Sequence, residues 1–86
     1  MTYSIKFKKS VSKDLKKIDK SEADRILTKL AAELPDKADS LPELKGKYAG
    51  LRKYRIGNYR IVFAIVKSTI LITRIRHRKE AYGHSN

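Results

Sequence analysis

The stretch LRKYRIGNYRIVFAIVKSTILITRIRH, residues 51–77, decides the fold. Its segments LRKYRI, YRIVFAIV and TILITRIRH are rich in Ile, Val, Tyr and Phe, the residues that fit a pleated, half-buried surface. The pairs Gly57-Asn58 and Lys67-Ser68 separate them at hairpin-turn spacing, which predicts a three-stranded antiparallel meander. In the middle strand Ile61, Phe63 and Ile65 alternate with Arg60, Val62 and Ala64. In the last, Leu71, Thr73, Ile75 and His77 alternate with Arg74, Arg76 and Arg78. Both sets carry apolar residues, and a bulge would shift the end of the last strand, so the alternation leaves open which set faces the core.

Upstream the period changes. Tyr3, Ile5 and Phe7 alternate as in a short strand. From Ser10, the residues Val11, Leu15 and Ile18 recur at helical spacing, opposite Lys13, Lys16 and Lys17. Ser21 reads as the N-cap of a second helix, with Asp24 three residues on and a stripe of Ile26, Leu27, Leu30, Ala31 and Leu34. Pro35 is expected to end it, and PDKADSLPE reads as loop. The short connection between the helical stretches implies an antiparallel helical hairpin. The order β-α-α-β-β-β predicts a single α+β domain over residues 1–86, an antiparallel sheet packed on a helical hairpin with one sheet face open.

Charge divides unevenly along the chain. Residues 1–44 hold ten Lys/Arg against eight Asp/Glu, whereas residues 45–86 hold eleven against Glu80 alone. An ordinary solvated surface mixes both signs, so the second half reads as a surface for a polyanion. There are no cysteines, and the two histidines have no carboxylates at ligand spacing, so neither a disulfide nor a metal centre or cofactor is expected. No apolar run approaches the roughly 20 residues that span a bilayer, and the N-terminus lacks a signal-peptide core, so a cytoplasmic protein without a membrane partner is expected. Gly46, Gly50, Gly57 and Gly83 are scattered as turn residues and form no phosphate loop.

The basic strands invite a specific chemistry. Cleaving RNA needs a base for a 2′-hydroxyl proton, fixed cations for the phosphorane charge and an acid for the leaving 5′-oxygen. Arginines hold phosphate oxygens bidentately, histidine is the side-chain type that changes charge near neutrality, and tyrosine can stack on a base or move a proton. Arg52, Lys53, Arg55, Arg60, Arg76, His77, Arg78 and Tyr82 supply those types, with Lys45 and Lys47 placed for backbone phosphate contact.

LKG before the first meander strand, LRKYRIGNYRIVF and the closing HRKEAY together resemble the RelE/ParE superfamily of toxins from toxin–antitoxin pairs, over nearly the whole chain. The RelE-like branch cuts mRNA in the ribosomal A site without a metal. The ParE-like branch inhibits DNA gyrase. The resemblance implies that Arg60 and Arg78 are the catalytic arginines, that His77 or a lysine handles protons, and that Tyr82 is the terminal tyrosine. Lys45, Lys47, Arg52, Lys53, Arg55 and Arg76 would bind RNA. It further implies a RelB-like antitoxin whose acidic or amphipathic segment covers this surface. Two other readings are a gyrase inhibitor that cleaves nothing and a plain nucleic-acid-binding domain.

Overall fold

In the computed structural model, which describes residues 3–77, both turn dipeptides close hairpins between β2 (Arg52–Ile56), β3 (Tyr59–Val66) and β4 (Thr69–His77). Each turn opens on a residue in the left-handed region, Gly57 at φ 56° and Lys67 at φ 58°. That hand matches the twist of the flanking strands, so Lys67 accepts a conformation that a side chain usually avoids. The chain before them forms β1 (Ser4–Phe7), α1 (Lys9–Lys16) and α2 (Lys20–Lys37), followed by 3₁₀ turns at Ala38–Ser40 and Gly46–Tyr48.

The meander is antiparallel as expected, but the whole sheet is mixed. Its order is β1-β4-β3-β2, and β1 joins β4 in parallel, with Ser4 opposite Thr69 and Phe7 opposite Ile72. The helical pair carries the chain from β1 to the far edge of the sheet, leaving β4 as the neighbour for β1. Alternation in a sequence fixes faces but not strand direction. The second helix also departs from expectation at both ends. It starts at Lys20 with Asp19 in the cap position, and Ser21 donates its hydroxyl to Asp19 Oδ2 at 2.7 Å instead of capping. It continues through Pro35 to Lys37, into what reads as loop. The proline sits in the last turn and removes one donor, while Leu34 and Ala38 are fully buried and Ala38 N–H bonds to Leu34 C=O, so packing holds the turn closed.

The core lies between the helices and one sheet face. Val11, Ile26, Leu30, Leu34 and Ala38 meet Ile56, Ile61, Phe63, Ile70, Ile72 and Ile75. In β3 the core set is therefore Ile61 and Phe63, with Ile65 packed beside them. In β4 the core set is not a strict alternation: Ile70 and Ile72 are buried two apart, but the next buried residue is Ile75, three further on.

A β-bulge explains the step. Val62 lies opposite Arg74 and Phe63 opposite Ile72, so Thr73 is an extra residue in β4. Unbroken alternation after Ile72 would turn Arg74 and Arg76 toward the helices. The extra residue reverses the phase, burying Ile75 and putting both arginines on the open face. Thr73 Oγ1 donates to Val62 C=O at 3.1 Å, recovering a hydrogen bond where the ladder is interrupted.

Beyond Phe7 the chain leaves the edge of β4, and α1 takes over. Lys8 N–H bonds to Ile72 C=O at 2.9 Å, Ser10 Oγ donates to Thr73 C=O at 2.7 Å, and Asp14 Oδ2 accepts from Ile75 N–H at 2.9 Å. Side chains of a helix thus satisfy strand groups that would otherwise form a bare edge.

Phe63 is fully buried, so Phe63→Ala should lower unfolding free energy by about 3–5 kcal/mol. Val66 is 53% exposed, and Val66→Ala should stay within about 0.5 kcal/mol of the parent. Urea midpoints at constant slope measure both, and equal effects would refute this placement of the core.

Candidate nucleic-acid interface

Strand register aligns the cations before any side chain is considered. Arg55 pairs with Arg60 and Arg60 with Arg76, which gives one transverse row of three arginines across β2, β3 and β4. The next row on the same face is Lys53, Val62 and Arg74. Directly opposed like charges on neighbouring strands repel.

These rows border a groove of about 360 Å³ on the face away from the helices. Lys53, Arg60, Arg74 and Arg76 supply its charge, Val62 and Thr73 line it from the strands, and Leu44, Tyr48 and Leu51 wall one side from the segment entering β2. None of the described residues lining it is acidic. Gly46 and Gly50, at φ 69° and 92°, bend that segment around Tyr48, whose ring is half exposed. Lys47 Nζ lies 5.4 Å from the centre of the Tyr48 ring, which places a cation and an aromatic face together at the rim.

Two clamps fix the strands that carry the cations. On β2, the Tyr54 hydroxyl donates to Glu33 of α2, and Lys37 lies 3.9 Å from Glu33 Oε1 and 5.5 Å from the Tyr54 ring centre. Burial, that hydrogen bond and the Glu33 charge push the Tyr54 phenol up to about 12. Tyr54 therefore stays a neutral donor at every physiological pH. On β4, Asp14 is 5% exposed and receives Arg74 side-on, Nε at 2.9 Å and Nη2 at 2.8 Å, in addition to Ile75 N–H. Burial pushes Asp14 up. The Arg74 hydrogen bonds, the Ile75 N–H and the charges of Arg74 and Arg76 outweigh burial and hold the carboxyl below its ordinary value.

Of the residues anticipated from sequence, Lys53, Arg60 and Arg76 meet in the groove, and Arg55 joins Arg60 at its end, where Nε donates to Gly57 C=O at 3.2 Å. Lys45 and Lys47 flank the rim on the segment that bears Leu44 and Tyr48. Arg52 does not join them. It pairs with Phe63 on the helix side and donates to Leu41 C=O at 2.7 Å and Asp39 C=O at 3.2 Å, tying down the segment after α2. His77 also falls on the helix side, opposite Tyr59, with the two rings edge to face at 5.1 Å and 88°. Arg78 and Tyr82 lie outside the described residues.

Arg74, Tyr48 and Asp14 are the additions. Asp14 carried a signal: it falls between Val11 and Leu15 on the apolar stripe of α1, where an acid needs a buried partner. Among the described residues there is no cluster of three or more metal-ligating side chains, and no helix long and apolar enough to cross a membrane.

Taken together, the fold and groove define a small α+β domain with a basic groove on the sheet face away from the helices. Comparison with known proteins gives that class a family. Residues 5–82 match the profile of the ParE toxin of type II toxin–antitoxin systems, parDE. Toxin RelE3 of Methanocaldococcus jannaschii is 36% identical over 86 aligned residues, covering 93% of this chain and 96% of that one. The RelBE2 toxin–antitoxin complex of Mycobacterium tuberculosis contains a chain that superposes with a TM-score of 0.81 at 24% identity, covering 91% of this chain and all of that one. A chain of the archaeal RelE–RelB complex from Pyrococcus horikoshii superposes at 0.64 with 28% identity, over 93% and 99% of the two chains. The chain belongs to the RelE/ParE superfamily, as a RelE-family toxin of a type II toxin–antitoxin system.

The Asp14 shift has a measurable consequence. Because the folded-state value lies below the unfolded one, its contribution to stability is complete above about pH 4 and is lost as pH falls through the folded value. Asp14→Asn should flatten the acid limb of a stability-versus-pH curve and leave its neutral-to-alkaline shape alone. An unchanged acid limb would mean that other carboxylates govern acid unfolding.

Proposed function

We propose that the groove binds mRNA in the ribosomal A site and cuts it by transesterification, stopping translation. The arginine row Arg55–Arg60–Arg76 beside Lys53 carries this reading, because it offers fixed cations and a proton-bearing amine on one face. The 2′-hydroxyl loses its proton, its oxygen forms a bond to the adjacent phosphorus, and the bond from phosphorus to the 5′-oxygen breaks. The leaving oxygen takes a proton, giving a 5′-hydroxyl and a 2′,3′-cyclic phosphate, which water can open to a 3′-phosphate. Arg60 and Arg76 are the described arginines best placed for the extra negative charge on the phosphorane, by bidentate donation from rigid strand positions.

Of the groove-lining side chains described, Lys53 and Tyr48 are those able to give or take a proton. That favours Lys53 for proton transfer over His77, which packs against Tyr59 on the helix side. Arg78 as a second catalytic arginine and Tyr82 as a base-orienting residue complete the proposal on the strength of the HRKEAY motif. No metal or cofactor is invoked, and a ribosomal target places the activity in the cytoplasm.

The partner in this proposal is a RelB-like antitoxin. Related structures capture RelE with RelB in Pyrococcus horikoshii and YafQ with DinJ in E. coli. An acidic, amphipathic segment fits this groove, since Leu44, Tyr48 and Leu51 line one wall and Lys53, Arg60, Arg74 and Arg76 supply positive charge from the strands. A second reading, inhibition of DNA gyrase, draws on the family match to ParE toxins.

Purified protein incubated with ribosomes paused over an empty A site should leave new mRNA 5′ ends inside the A-site codon. Arg60→Ala should lower the cleavage rate by about 10²–10³, and Lys53→Ala by about 10²–10⁴, with melting temperatures near the parent. Gyrase inhibition by protein that leaves every mRNA intact would replace the nuclease reading with the ParE-like one.

A further inference from the structure

We infer that Arg74 is a phosphate ligand of the groove and that Asp14, from the opposite layer, is the residue that positions it. The inference rests on the reading of the groove as an RNA site.

Arg74 lines the groove and is 40% exposed at its side chain, while the Asp14 side chain holding it is 6% exposed. A guanidinium has two fork-like edges. Asp14 grips the edge made by Nε and Nη2, with bonds of 2.9 and 2.8 Å. Covalent geometry then fixes where the Nη1–Nη2 edge points, because the group is planar. An arginine on a strand ordinarily loses several rotatable bonds when it binds a phosphate. Here the plane is set beforehand, so less freedom is lost on binding.

The same carboxylate accepts Ile75 N–H, so it also holds the backbone just past the bulge, where the arginines change face. Ser10 holds the preceding step through Thr73 C=O. Asp14 is the one buried charged residue among those described, and it sits where it neutralises a groove cation. Weakening the groove's charge in this way makes sense if orientation at that position matters more than net charge. The two possibilities predict opposite signs.

Asp14→Asn raises the net charge by one and leaves an amide oxygen to accept from Ile75. If attraction by net charge dominates, this variant binds RNA more tightly. If Asp14 positions Arg74, it binds about three- to tenfold more weakly. The double variant Asp14→Asn with Arg74→Gln keeps the net charge of the parent and replaces the ion pair by two neutral amides. It should bind more weakly still, with the slope of log affinity against log salt reduced by about one.

The probe is a single-stranded RNA oligomer 2′-O-methylated throughout, so that it binds without being cut. Affinity is measured over a salt series, below the melting temperature of each variant, with Arg60→Ala as reference. Weaker binding by Asp14→Asn together with the shallower slope of the double variant supports the inference. If Arg60→Ala weakens binding while both Asp14 variants match or exceed the parent, Arg74 is only a structural tie and the inference falls, but the RNA reading stands. If the parent shows no salt-dependent binding, or Arg60→Ala changes nothing, the RNA reading of the groove and this inference fall together.

Discussion

Thr73, the one extra residue in β4, sets the phase of everything after it. Before it, Ile70 and Ile72 face the helices; after it, Ile75 does, and the arginines on either side turn outward. Without that step the strand would press Arg74 and Arg76 into an apolar layer made by Val11, Ile26 and Leu30. Burying unpaired charge there would exceed the few kcal/mol by which a domain of this size is stable. The cationic face and the core are thus two results of one irregularity. Ser10 and Asp14 hold that irregularity from the first helix, so the N-terminal half of the chain fixes the geometry of the C-terminal half.

That dependence explains why each half has its own composition. The helices carry both signs and supply the apolar layer, while the strands concentrate positive charge on the face the helices do not cover. Asp14 crosses between the two as the one buried acid among the described residues. The Tyr54–Glu33–Lys37 cluster repeats the arrangement at the other side of the sheet, where α2 steadies β2 next to Lys53. Both clamps place a helix acid behind a strand whose outer face is basic.

Much of this was legible from residues alone. The meander, both turns, the order of elements and the clustering of Lys53, Arg55, Arg60 and Arg76 follow from alternation, turn chemistry and charge imbalance. The face of His77 did not, because a single inserted residue is invisible in a strand where both faces carry isoleucines. Nor was the work of Arg52 visible: its partners are the backbone carbonyls of Asp39 and Leu41, distant in sequence and anonymous in composition. The reach of α2 past Pro35 was hidden for a related reason. A proline lowers local helix propensity, but the burial of Leu34 and Ala38 is a tertiary fact. The tail motif HRKEAY lies beyond the described residues except for His77, so the part that Arg78 and Tyr82 play remains the motif's implication.

The arginine row has a consequence for how such a domain can evolve. Three arginines on adjacent strands, in direct register, set like charges side by side, where they repel. Replacing one of them by a neutral residue would remove one side of that repulsion and one cation of the row together. Stability and charge are therefore coupled at these positions, and a change made for one is felt by the other.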